Sequence, residues 1–138
     1  MAPRSGSCDR RAAMPLRCLI VDDDDAFRQE MGGLLEEQGV TVVGGAASSA
    51  EALTQIARSQ PDVVLIDIDL RGESGLALTR MLAERANGAS SPHMVLISTH
   101  DESEYADLIE ASPAVGFLAK TELSAAAIQR MLAEAEAR

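Results

Sequence analysis

Four aspartates in a row, Asp22 to Asp25, follow the apolar run Leu19-Ile20-Val21. Neighbouring carboxylates repel, and two sharing one dry site cannot both stay ionised without a counter-charge. Further along, the stretch VVLIDIDL ends its apolar run at Asp67, MVLIST closes on Ser98 and Thr99, and GFLAK on Lys120. Acids, a hydroxyl and an amine at the ends of apolar runs make up a metal-assisted phosphate site. A carboxylate is a poor nucleophile, yet it attacks phosphorus once the phosphoryl charge is neutralised. Mg²⁺ suits that task, because it prefers oxygen and is usually held by one or two carboxylates plus phosphate and water. A hydroxyl and an ammonium then hold the remaining phosphoryl oxygens. The product, an aspartyl phosphate, can bias a bistable fold. Lys120 is the only lysine among twelve basic residues. Where arginine is the default cation, a lone lysine points to a site that wants a compact charge.

Such groups meet only if the chain brings the ends of those runs together. Five runs, Cys18–Val21, Val40–Gly44, Val63–Ile68, Met94–Ser98 and Val115–Ala119, are short, rich in β-branched residues and nearly continuous in apolar character. That pattern predicts parallel strands covered on both faces. Helix-period stretches lie between them: Phe27, Met31, Leu34 and Leu35 share one face, as do Leu78, Met81 and Leu82, and Ile128, Met131 and Leu132. Ser48-Ser-Ala-Glu51 is a capping box for a second helix. A fourth helix is expected over 102–111, closed by Ser112-Pro113. Asp25 is the expected N-cap of the first helix, with Asp24 near that helix's positive end. Strands alternating with helices give an α/β domain with a parallel sheet and right-handed crossovers. Ligands bind such sheets at the carboxyl ends of their strands.

Composition narrows the function further. At 138 residues the chain is one ordinary domain in size, and 46% hydrophobic content supports a real core. The net charge of −10 sits on the body, since residues 1–17 carry four arginines and one aspartate. An acidic body argues against nucleic acid as a direct partner and is compatible with binding a cation. No apolar stretch approaches the ~20 residues that span a bilayer, and residues 1–17 lack a secretory h-region. Cys8 and Cys18 have no metal-ligand spacing and read as inert thiols of a reducing, cytoplasmic protein. Residues 1–15 read as a disordered lead-in, with Met14 as a candidate start, and 16–138 as the folded domain. His93 and His100 read as surface residues, Tyr105 and Met31 as packing.

The stretches LIVDDDDAFR, PDVVLIDIDLRGESGL, VLISTHDESEY and GFLAK together resemble the receiver domain of bacterial two-component response regulators, notably receivers that precede a helix-turn-helix output domain. The resemblance runs from residue 17 to about 134. It implies a three-layer α/β/α, flavodoxin-like fold: a five-stranded parallel sheet of order 2-1-3-4-5, with two helices on one face and three on the other. Asp67 would be the phosphoacceptor, accepting a phosphoryl group from a histidine kinase or phosphotransfer protein. Mg²⁺ would be held by Asp22, Asp23, Asp67 and the backbone carbonyl of Asp69. Ser98 and Lys120 would bind the phosphoryl group, and Ser98 and Phe117 would act as switch residues. The domain would be a signalling phosphoprotein rather than an enzyme, its chemistry confined to its own phosphorylation and dephosphorylation. With the chain ending at Arg138, output is expected through protein contacts. These would be a homodimer through the fourth helix, fifth strand and fifth helix, or relay to another histidine. Membranes are not an expected partner.

Departures from the family pattern carry expectations too. Ser98 stands where threonine is commonest and keeps the hydroxyl. Phe117 lacks a phenol, so it would switch through packing. Thr121 follows Lys120 where many members have a proline, often after a cis bond. Arg71 replaces a frequent proline, and Ser112-Pro113 replaces a glycine turn. Asp69 and His100 occupy positions that tune dephosphorylation. LIDIDLRGES also resembles the first motif of haloacid-dehalogenase-like phosphatases, although the acidic pair here comes early in the chain and Arg71 is out of pattern. A receiver-like interaction module that is never phosphorylated is the other alternative.

Overall fold

The structure, a computed structural model, describes residues 15–70, 72–85, 92–99 and 106–137. Its main strands are β1 (Arg17–Val21), β2 (Thr41–Ala46), β3 (Val63–Asp67), β4 (His93–Ser98) and β5 (Gly116–Ala119). The helices are α1 (Asp25–Glu37), α2 (Ser49–Ser59), α3 (Gly75–Arg85), α4 (Ala106–Glu110) and α5 (Ala125–Ala137). A 3-10 turn spans Lys120–Glu122, and a two-residue ribbon pairs Asp69–Leu70 with Glu73–Ser74. The five main strands form one parallel sheet in the order β2-β1-β3-β4-β5. The parallel α/β sheet is what the alternation of apolar runs and helical stretches predicts, and its strand order is the flavodoxin-like one that the resemblance implies.

Central β3 is buried along its whole length, Val63 to Asp67, which is why its sequence shows no alternation. The faces of the sheet carry separate cores. On one, Met31 and Leu35 of α1 and Ile128 and Leu132 of α5 pack on Cys18, Ile20, Val63, Leu65, Val95 and Ile97. On the other, α2, α3 and α4 supply Ala52, Leu76, Leu78, Leu82 and Ile109 against Leu19, Val21, Val64, Ile66 and Leu96. The helices therefore divide two and three. Each fully buried Leu, Ile or Val contributes about 1.5–3 kcal/mol of burial, enough for the sheet to hold its carboxyl edge in fixed register.

Some expectations need correction. The N-cap of α1 is Asp24, not Asp25: its backbone is extended (φ −92°, ψ 107°), and its side chain accepts from the N–H groups of Ala26 (3.0 Å) and Phe27 (3.2 Å). Asp25 is already helical and pairs with Arg28 one turn on. Leu34 and Met81 lie at the edge of their stripes and are exposed, because the buried face of α1 follows 27, 31 and 35. His93 is half-buried, since it starts β4 opposite Val63. Ser48 caps α2 as expected, while Glu51 reaches back to the N–H of Ala47 rather than to that of Ser48. Met31 and Cys18 are core residues. The fourth helix spans Ala106–Glu110, after which the Ser112 hydroxyl donates to the Ile109 carbonyl and accepts from the Ala114 N–H. Residues 1–14, Arg71, His100 and Tyr105 lie outside the described residues, as do positions 102–105 of the expected fourth helix.

Candidate functional site

Parallel register brings the strand ends to one edge. Asp67 is the last residue of β3 and pairs with Ile97; Ser98, next on β4, pairs with Ala119, and Lys120 follows directly. Asp22 comes one residue after β1 and donates its N–H to the Ala46 carbonyl at 2.9 Å. Adjacency in the sheet therefore assembles groups separated by up to a hundred residues.

Asp22 is fully buried. Its Oδ1 accepts from the N–H of Asp24 at 2.9 Å, and its Oδ2 lies 2.6 Å from Lys120 Nζ. Its backbone carbonyl accepts from the Arg28 guanidinium, which also pairs with Asp25. Arg28 reaches across because residue 45 is glycine: a Cβ there would sit 3.1 Å from Arg28 Cδ. Asp67 is buried as well, its Oδ1 accepting from the Asp69 N–H at 3.0 Å and its Oδ2 lying 3.1 Å from Lys120 Nζ. Carboxylate oxygens of Asp22, Asp23 and Asp67 lie within 4.8 Å of one another. Lys120 Nζ also stands 4.4 Å above the ring of Phe27. Ser98 is buried at the same edge, whereas the Asp69 side chain is exposed. Phe117 is half-buried against the core that contains α4.

The electrostatics follow from this crowding. Burial pushes the Asp67 carboxyl above its usual range, and nearby Asp22 adds to that, while the Asp69 N–H and Lys120 pull the other way. Burial alone would lower the Lys120 ammonium, but the two carboxylates outweigh it and hold the group above its ordinary value. Two carboxylates thus contact the ammonium, and a third, Asp23, lies within 4.8 Å of them. Like charges about 5 Å apart repel by roughly 3 kcal/mol at an effective dielectric of about 20, so the cluster favours a further cation. The donors fit Mg²⁺: all are hard oxygens, and Asp22 Oδ2 is buried without an aligned hydrogen bond.

The structure places Asp22, Asp23, Asp67, Ser98 and Lys120 together, as their positions at strand ends imply. It also shows contributors that sequence reasoning missed. Gly75 opens α3 and donates its N–H to the Ile68 carbonyl at 2.8 Å. A Cβ at position 75 would lie 2.0 Å from the Asp67 carbonyl oxygen, so glycine here serves space rather than an unusual φ. The signal available in sequence was a glycine opening an amphipathic stretch, where alanine is the better helix former. Arg28, the clamp on Asp22, carried no signal beyond its charge. Thr121 continues from Lys120 through a trans bond, no cis peptide being present among the described residues.

A sheet of this topology with an acidic cluster, a buried hydroxyl and a lysine at its carboxyl edge is the arrangement that the resemblance to receiver domains implies. The family model of the response regulator receiver domain matches residues 18–133, and the chain belongs to that family. It is 34% identical over 121 residues to an uncharacterized response regulatory protein of Vibrio cholerae, covering 85% of this chain and 48% of that protein. A response regulatory protein of Yersinia pestis is 40% identical over 88 residues, covering 63% of this chain and 35% of its own length. The chain thus spans between a third and a half of these curated relatives. Among solved structures, a two-component response regulator of the LuxR family from Aurantimonas sp. SI85-9A1 superimposes with a TM-score of 0.76 at 27% identity, covering 88% of this chain and 87% of that one. The chain is accordingly a receiver, a signalling domain, and the phosphatase resemblance falls away. Among the described residues no helix is long and apolar enough to cross a membrane.

Proposed function

We propose that residues 16–138 form a phosphoacceptor receiver in which Asp67 takes a phosphoryl group from a phosphohistidine of a kinase or phosphotransfer protein. One observation carries this reading. The Asp67 carboxylate has one oxygen fixed by the Asp69 N–H and the other facing the Lys120 ammonium, beside Asp22 and Asp23. Asp67 attacks phosphorus; the P–N bond breaks as the P–O bond forms, and the leaving imidazole takes up a proton. Asp22, Asp23, Asp67 and the Asp69 carbonyl would hold Mg²⁺, which supplies charge neutralisation on the phosphoryl oxygens. Lys120 and the Ser98 hydroxyl bind phosphoryl oxygens, and Phe117 repacks with Ser98. The surface of α4, β5 and α5 then changes its affinity for a protein partner or a second copy.

The test is intact mass after treatment with acetyl phosphate and Mg²⁺. Wild type should gain about 80 Da, one phosphoryl group, and lose that gain with EDTA or in Asp67→Asn. A wild-type chain that stays unlabelled would overturn the reading. Labelling that persists in Asp67→Asn would overturn the assignment of Asp67.

A further inference from the structure

The lysine of this site is held on three sides, and one side is not acidic. Two carboxylates approach the ammonium at 2.6 and 3.1 Å, and the Phe27 ring lies 4.4 Å below it. We infer that Phe27 is a positioning residue for phosphoryl transfer, its ring face fixing where the Lys120 ammonium stands between Asp22 and Asp67. The inference rests on the phosphoacceptor reading above.

Lysine is a poor candidate to hold a fixed place unaided, because its four-carbon stem is flexible and its charge makes no directional fork. The two carboxylates attract the ammonium without setting its height above the edge, since each offers several lone-pair directions. A ring face attracts a cation along its own normal and supplies that missing coordinate. Phe27 is itself fixed. It sits in the first turn of α1, packs against the core beside Met31 and Leu35, and gives its N–H to Asp24. The acidic turn is therefore divided: Asp22 attracts the lysine, Asp24 sets the start of the helix, and that start decides where the ring faces. Lys120 is only 13% exposed, so the ring acts on a cation largely out of water, where such contacts are strongest.

The chain contains a single lysine, so lysine-selective ¹³C labelling of the full chain reads Lys120 alone. Its Hε signals should lie upfield in wild type and in Phe27→Tyr, through the ring current, and return to the ordinary position in Phe27→Leu. With acetyl phosphate at saturating Mg²⁺, Phe27→Leu should label about threefold to tenfold more slowly, while Phe27→Tyr recovers most of the rate. Wild-type Hε signals no different from those of Phe27→Leu would overturn the inference. So would a Phe27→Leu chain that melts lower yet labels at the wild-type rate, or a Phe27→Tyr chain that labels as slowly as Phe27→Leu. A wild type that never labels overturns the phosphoacceptor reading instead, and the ring-current shift still decides whether the ring holds the lysine.

Discussion

Asp24 and Asp25 are chemically identical neighbours, yet removing their carboxylates should have different consequences. Asp24 stands outside α1 and accepts two N–H groups, at 3.0 and 3.2 Å, that no helical carbonyl satisfies. Replacing an N-cap aspartate by alanine costs about 1–2 kcal/mol, and part of the helix-dipole term is lost with it. No helix propensity is regained, because the position is not helical. Asp25 is 78% exposed and pairs with Arg28 within one turn. Such a pair contributes about 0.3–0.5 kcal/mol, and alanine recovers a similar amount as the better helix former. Asp24→Ala should therefore cost about 1.5 kcal/mol and Asp25→Ala less than about 0.5 kcal/mol. For a domain of this size the first corresponds to a fall in Tm of roughly 5 °C. Urea unfolding of both variants, with Asp24→Asn as the control that keeps a capping acceptor, measures this. Equal losses, or a larger loss for Asp25→Ala, would refute the assignment of the cap.

Three further outcomes are expected. In EDTA, the stability of wild type relative to Asp67→Asn should fall as pH rises. The raised native pKa of Asp67 means the folded state keeps its proton above the ordinary value of 3.8, so the stabilisation present below that value is lost through the raised one. A Tm difference that stays constant as pH rises above 3.8 would contradict this. Gly75→Ala should destabilise by about 3 kcal/mol or more, although helix propensity alone predicts a gain of about 1 kcal/mol; a higher Tm would show that the Asp67 carbonyl moves freely. Cys18, whose thiol burial pushes up to about 12, should resist thiol reagents in a Cys8→Ser chain until urea unfolds it, and rapid native labelling would contradict its burial.

The sheet was legible because parallel strands buried on both faces leave continuous β-branched runs. Asp67, Ser98 and Lys120 were legible because each is the last or next residue of such a run. The N-cap was misplaced by one because periodicity locates a helix face rather than its first residue, and only φ and ψ separate Asp24 from Asp25. Leu34 and Met81 look apolar on paper but fall on the margin of a stripe, outside the face that packs on the sheet. Gly75 was invisible because its role is an empty volume beside a carbonyl from another element. Phe27 was read as a helix-face residue, which it is; its second contact depends on a lysine 93 positions away in sequence.

A single ammonium next to Asp67 also changes how the protein can be handled. Succinimidyl dyes and amine coupling to sensor surfaces have one side-chain target here, and it is ion-paired with Asp22 and Asp67. Gentle coupling will attach through the terminal amine, and exhaustive coupling will consume the site it was meant to report on. The same arithmetic yields a gauge. A protease that cleaves only after lysine has one bond to cut, inside the 3-10 turn that follows β5, so cleavage there times how often that edge opens.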